Sequence, residues 1–334
     1  MTMPAEWAPH VGTLMGFPHT TYDGDVPLFV ARQAWGNVAR AIAAFEPVTM
    51  AVHQEDLGEL HGQLSGVVAP FVVDLDDAWL RDSGPTFVAD AEKRVAVDWT
   101  FNGWGNQHWA TWQHDAALGG VLGAAFGDVV RPSALVNEGG GIEVDGAGLL
   151  VVTETVQLDP HRNGAWSKTA VETELMAQLG VDTPIWIPRG LAGDYGEFAT
   201  RGHVDLVVKF IAPSVALVHR QTNPDHPDAS LFSEVASLLS ARGVDVIPLD
   251  GPTRVDVDGA LCDWSYVNCY PTNGGLIVGT FDDPADDGAI ATLSEAFPGR
   301  TISTVDARVL FSLGGGVHCI TQQIPLLEEP PCAP

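Results

Sequence analysis

Residues 202–218 read Gly202-His203-Val204-Asp205-Leu206-Val207-Val208-Lys209-Phe210-Ile211-Ala212-Pro213-Ser214-Val215-Ala216-Leu217-Val218. Two apolar runs, 204–211 and 215–218, flank the turn formers Ala212-Pro213-Ser214, the pattern of a β-hairpin. Beyond it, Leu231, Val235, Leu238 and Leu239 recur at helical spacing, and Gly243 supplies a stop. A further apolar run at 244–249 reads as a strand. The order is therefore strand, strand, helix, strand.

The same order can be read elsewhere. Helical spacing recurs at Ala34, Val38, Ile42 and Phe45, at Leu118, Val121, Leu122 and Ala125, and at Val171, Leu175 and Leu179. A last helix carries Ile290, Leu293 and Phe297 and ends at Pro298-Gly299. Strands are expected after the helices at 48–52, 67–73, 185–187 and 302–305. The second fits least well, because 53–64 has helical character of its own. Hairpins are expected at 86–88 with 95–99, at 141–144 with 149–156 around Asp145-Gly146, and at 266–270 with 276–281 around Asn273-Gly274. So many hairpins argue against an all-parallel, doubly wound sheet. Polar residues Asp82, Glu138, His203, Asn268 and Cys319 recur near the hairpins, about every 60 residues, which predicts small modules closing on one another around an axis. We expect one α/β domain over 1–328 and a disordered Pro-rich tail over 329–334, which holds Cys332.

Composition narrows the partners. The 334 residues carry 43 acidic and 16 basic side chains, a formal charge of −27. Nucleic acid would be repelled and a small cation drawn in, although the same charge also serves solubility alone. The four cysteines show no C-x-x-C spacing, and the N-terminus has neither a basic nor an apolar leader segment. The longest apolar stretch, 204–218, is interrupted by Asp205, Lys209 and Pro213, so no membrane span is expected. These features predict a reducing, cytoplasmic setting.

Four short segments could carry chemistry. Cys319 follows Gly314-Gly315-Gly316-Val317-His318, where glycines leave room over a sulfur; a buried structural cysteine is the competing reading. Cys262 and Cys269 read as core. His203 and Asp205 would share one face of a strand, as an orienting pair, as substrate contacts, or as H-x-D metal ligands. The scattered His108, His114 and His161 count against metal. Trp79 and Asp82 could stack on and bind a planar cation, or Asp82 could simply pair with Arg81 while Trp79 fills core. Glu138 stands before Gly139-Gly140-Gly141, as a second carboxylate or in an exposed turn. Together these residues match the needs of guanidinium hydrolysis: carboxylates to hold a delocalised cation, a thiolate to attack it, and an acid to protonate the departing amine.

From Met3-Pro4-Ala5-Glu6-Trp7 to Pro325, through Asp98-Trp99-Thr100-Phe101-Asn102-Gly103-Trp104-Gly105 and Gly314–Cys319, the chain resembles the agmatine deiminase family, which includes bacterial-type peptidylarginine deiminases. The resemblance implies a five-fold pseudo-symmetric α/β-propeller of ββαβ modules. It implies Cys319 as nucleophile, His203 as acid and then base, Asp82 and Asp205 on the guanidinium nitrogens, Glu138 orienting His203, and Trp79 and Gly316 at the substrate. It implies no cofactor and no metal, a homo-oligomer, and hydrolysis of agmatine to N-carbamoylputrescine and ammonia through a thiouronium. Another guanidino substrate, an amidinotransferase and a non-catalytic polyamine binder are the alternatives. Departures from the family pattern fall at Gly16-Phe17-Pro18-His19-Thr20, at 194–201, and at Leu206 and Cys269.

Overall fold

Strand Val208–Ala212 runs antiparallel to Val215–Arg220, which in turn runs parallel to Asp245–Asp250. The first step needs only a tight turn, eased by Ser214 at φ 57°. The parallel step needs a crossover, and helix Leu231–Ser240 supplies it, burying Leu231, Val235 and Leu239. The computed structural model describes residues 1–20, 26–257 and 259–327, and this unit recurs along them.

Three further sheets have the same order: Thr86–Asp90 with Lys93–Thr100 and Val129–Val136, Glu143–Val144 with Leu150–Thr153 and Ile185–Ile187, and Tyr270–Thr272 with Gly275–Thr280 and Thr301–Asp306. In each, the middle strand is antiparallel to the strand before it and parallel to the strand after it. The chain's two ends share the remaining unit. Thr321–Pro325 pairs antiparallel with His10–Gly16, which runs parallel to Val48–Val52. The expected helices are present at Leu28–Ala43, Leu118–Phe126, Lys168–Leu179, Leu231–Ser240 and Asp286–Ala296. The fold is α/β. Among the described residues no helix is long and apolar enough to cross a membrane.

Several expected boundaries are corrected. No expected run covers the strand after Leu118–Phe126, which is Val129–Val136. It lies at the edge of its sheet with Val129, Pro132 and Ala134 exposed, so it needs no apolar run to mark it. The 67–73 segment instead contributes Ala69–Val72, an added strand parallel to Val48–Val52, after the short helix Leu57–Leu64. Residues 204–206 form a 3-10 turn rather than strand, so His203 and Asp205 do not share a strand face. Residues 139–141 form another such turn, and Leu80–Ser83 is a single helical turn. The tail at 329–334, with Cys332, lies outside the described residues.

Candidate active site

Cys319 sits just before the last strand and is 3% exposed. Its sulfur takes an N–H from Asn268 Nδ2 at 3.3 Å and lies 3.5 Å from Asp205 Oδ2. The Gly316 N–H favours the ionised sulfur. Burial, and then the Asp205 and Asp82 carboxylates, push the thiol well above its ordinary range. The glycines before it are required by close approach. A Cβ on Gly315 would stand 2.8 Å from the Trp79 ring and 3.1 Å from the sulfur, and one on Gly316 would stand 2.3 Å from Asn268 Oδ1.

Asp205 concentrates its hydrogen bonds on one oxygen. Oδ2 accepts from Asn268 Nδ2 at 3.1 Å and faces His318 Nδ1 at 2.8 Å, whereas Oδ1 is buried with no partner. Burial works against ionisation, but the His318 contact and charge outweigh it and hold this carboxyl below its ordinary range. The 3-10 turn at 204–206 sets this geometry where a strand would not.

His203 is fully buried. Its Nε2 lies 3.3 Å from Glu138 Oε2, and its Nδ1 lies 3.8 Å from Asp82 Oδ1 with no hydrogen bond. Burial favours the neutral ring, but Asp82, Glu138 and Asp205 outweigh it and raise the imidazole to about 9. Asp194 fixes the approach to the ring, accepting the backbone N–H groups of Thr200 at 2.7 Å, Gly202 at 2.8 Å and His203 at 3.0 Å. Glu138 is not in an exposed turn but fully buried, held by Arg162 Nε. Burial is opposed by Arg162 and His203, which bring this carboxyl down to about 2.

Asp82 does not pair with Arg81. It accepts the Trp104 indole N–H at 2.9 Å and the Gly140 N–H at 2.9 Å. Burial, together with its two acidic neighbours, raises its carboxyl. Arg81 turns away, toward Glu6 Oε1 at 3.1 Å and Gln323 Oε1 at 2.9 Å. Gly140 is where the site converges: a Cβ there would stand 2.5 Å from His203 Nδ1, 3.0 Å from Asp82 Oδ1 and 3.1 Å from Asp205 Oδ2.

A narrow cleft reaches this cluster, lined among others by Trp79, Asp82, Trp104, Phe198, Gly314 and Cys319. Trp79 lines the cleft and also packs edge-on against buried Trp35. Gly316 is packed against Asn268 and Phe311, and Gly314 is the glycine that lines the cleft. The departure at 194–201 meets the cleft through Phe198 and Thr200, whereas Leu206 and Cys269 are core. Cys262 is only half-buried and lines an outer groove. His19, His53 and Asp56 are the one group among the described residues with metal-ligand proximity. There the Arg32 guanidinium pairs with Asp56 and would repel a cation.

The site thus unites Cys319, Asp205, Asp82, His203 and Glu138 from distant parts of the chain. It adds Asn268, Trp104, Arg162, Asp194 and His318. The regular spacing signalled Asn268, and the Asp159-Pro160 helix start could have signalled Arg162. Neither signalled the contacts themselves. A buried thiol beside a carboxylate-flanked imidazole can present sulfur to a planar cation held between acids.

The fold and site define an α/β protein with a buried thiol, imidazole and carboxylate centre. A family profile described as Porphyromonas-type peptidyl-arginine deiminase matches residues 2–325, and the chain belongs to that family. A Streptomyces avermitilis relative assigned as an agmatine deiminase is 47% identical, over 97% of this chain and 96% of its own. The agmatine deiminase of Stutzerimonas stutzeri is 37% identical, over 97% and 95%. The solved agmatine deiminase of Enterococcus faecalis superposes with a TM-score of 0.88 at 30% identity, covering 97% of this chain and 95% of that one.

Proposed function

We propose that this protein hydrolyses the guanidino group of agmatine, giving N-carbamoylputrescine and ammonia. The observation that carries the reading is the convergence of Asp82, His203 and Asp205 on Gly140, with the Cys319 sulfur 3.5 Å from Asp205. Two buried atoms of these side chains, Asp205 Oδ1 and His203 Nδ1, have no partner, which leaves hydrogen-bonding capacity of the carboxylate unused. The relatives named for agmatine deimination support the substrate. So does the narrow aromatic cleft, which suits an alkylguanidine better than a peptide.

In this mechanism Asp82 and Asp205 hold the guanidinium nitrogens, while Trp79 covers the planar cation and Gly316 acts through its N–H at the sulfur. The arriving cation offsets the carboxylates that hold the Cys319 proton on, so the thiol ionises as substrate binds and its proton passes to solvent. The thiolate attacks the guanidino carbon. His203, protonated at neutral pH at about 9, gives its proton to the departing nitrogen, and ammonia leaves an S-alkylthiouronium. His203 then takes a proton from water. The hydroxide adds to the same carbon, the C–S bond breaks, and the ureido product and the cysteine are released. Glu138 orients His203 throughout. No metal or cofactor enters these steps.

The five sheets of like order, with chain ends paired in one of them, support a single domain over 1–328 built as a five-fold α/β-propeller. A cytoplasmic homo-oligomer remains part of the proposal: a thiol nucleophile is kept reduced there. Incubation with agmatine, peptidyl-arginine and short alkylguanidines, with assay of ammonia and ureido product, tests the reading. Turnover of peptidyl-arginine but not agmatine would overturn the substrate. Tight binding without turnover would leave a polyamine binder.

A further inference from the structure

His318 is fully buried beside Cys319 and is absent from the cleft lining. Its two ring nitrogens both face carboxylates: Nδ1 is 2.8 Å from Asp205 Oδ2, and Nε2 is 2.6 Å from Glu6 Oε1. Glu6 is itself anchored, by Lys209 Nζ at 2.6 Å and Arg81 at 3.1 Å. The contact joins residues 312 apart in sequence, so the N-terminal segment reaches the back of the site. Its own backbone N–H is held by Asn268 Oδ1 at 2.9 Å, the side chain that also binds the Cys319 sulfur.

We propose that His318 is a positioning residue that, braced by Glu6, locks the rotation of the Asp205 carboxylate and so fixes the geometry this acid offers the guanidinium. The inference rests on the reading of the cleft as the guanidinium site. A carboxylate free to rotate about its Cβ–Cγ bond would offer a cation no fixed geometry. Asp205 is pinned because its donors, His318 Nδ1 and Asn268 Nδ2, meet at Oδ2, leaving Oδ1 buried and unpartnered. Of those two donors, Asn268 is shared with the sulfur, whereas His318 is fixed by an ionic brace behind it. His318 therefore sets the carboxylate without touching the substrate.

The clamp should distinguish a cation from its neutral isostere. Agmatine and N-carbamoylputrescine share a chain and an amine and differ at the group that meets Asp205. Their dissociation constants are measured by calorimetry in a Cys319→Ala background, where no turnover interferes. We expect His318→Gln, whose amide matches the far ring nitrogen, to weaken agmatine about 10-fold or more while N-carbamoylputrescine changes less than about threefold. His318→Asn, whose amide matches Nδ1 and keeps the donor to Asp205, should recover most of that loss. Glu6→Gln, which removes the brace but leaves His318, should give a smaller loss of the same cation-selective kind and serves if either His318 variant fails to fold. Equal weakening of both ligands, equal behaviour of the Asn and Gln variants, or unchanged agmatine binding would overturn the clamp. Absence of wild-type turnover on agmatine would overturn the substrate reading alone. The same ratio would then be read with guanidinium chloride against urea.

Discussion

Arg162 grips Glu138 with its Nε at 2.9 Å from Oε1 and 3.1 Å from Oε2, and neither side chain reaches solvent. The same guanidinium also donates to Asp159 at 3.0 Å and to the Thr200 carbonyl at 2.8 Å. A buried charge that loses its partner costs far more than a surface one. Arg162→Met should therefore destabilise the fold by about 3–5 kcal/mol. Urea unfolding reads this directly, and a loss under about 1 kcal/mol would show that Glu138 finds another partner.

The nucleophile prediction is the simplest. Cys319→Ala should lower kcat by about 10⁴-fold or more while leaving the melting temperature close to wild type, since one sulfur is exchanged for a small apolar group. Ammonia release measured on pure protein checks it. Residual turnover within tenfold of wild type would sink the covalent route.

The pH dependence follows from the acid. His203 rises from an ordinary 6.5 to about 9, so its proton is in place at neutral pH and is lost as pH passes about 9. The kcat/KM profile should fall on that alkaline side. Glu138→Gln removes one of the carboxylates that raise His203, and the falling limb should move to lower pH. For stability the signs are opposite. The contribution of His203 is complete below 6.5 and lost through about 9, whereas that of Glu138 is complete above 4.5 and lost as pH falls through about 2. A limb unmoved in Glu138→Gln would remove Glu138 from the role of setting His203.

Trp104→Phe tests the pocket wall. It keeps the aromatic surface but removes the indole N–H that Asp82 accepts at 2.9 Å. A lost hydrogen bond to a buried carboxylate should raise KM for agmatine about 10-fold. Steady-state kinetics at fixed pH would show it, and an unchanged KM would mean that Gly140 alone holds Asp82.

Charge and metal content give two further measurements. With a formal charge of −27, kcat/KM for a cationic substrate should decline from low to high salt as screening shortens the field. A flat profile would assign the acidity to solubility alone. Prolonged dialysis against chelator should leave activity unchanged, and loss reversed by zinc would restore the metal reading of His203 and Asp205.

Sequence patterns were enough for the repeating unit, because each hairpin and helix carries its own local signal in turn residues and apolar period. They pointed to Asp82, Glu138, His203 and Cys319, since glycine-rich bends and regular spacing mark those positions. They missed Val129–Val136, whose exposed edge carries no apolar run, and read as strand the 3-10 turn that aims Asp205. They left open whether Cys319 is core or chemistry and whether Asp82 pairs with Arg81. Tertiary structure alone decided the second point. Arg81 turns to Glu6, Glu138 to Arg162, and Asp205 to His318. Asp205 and His318 lie on different modules, and no local rule links residues 113 apart. A module specifies its own strands and helix through short-range propensity, but the charges at its mouth acquire partners only when the modules pack and exclude the water that would otherwise solvate them.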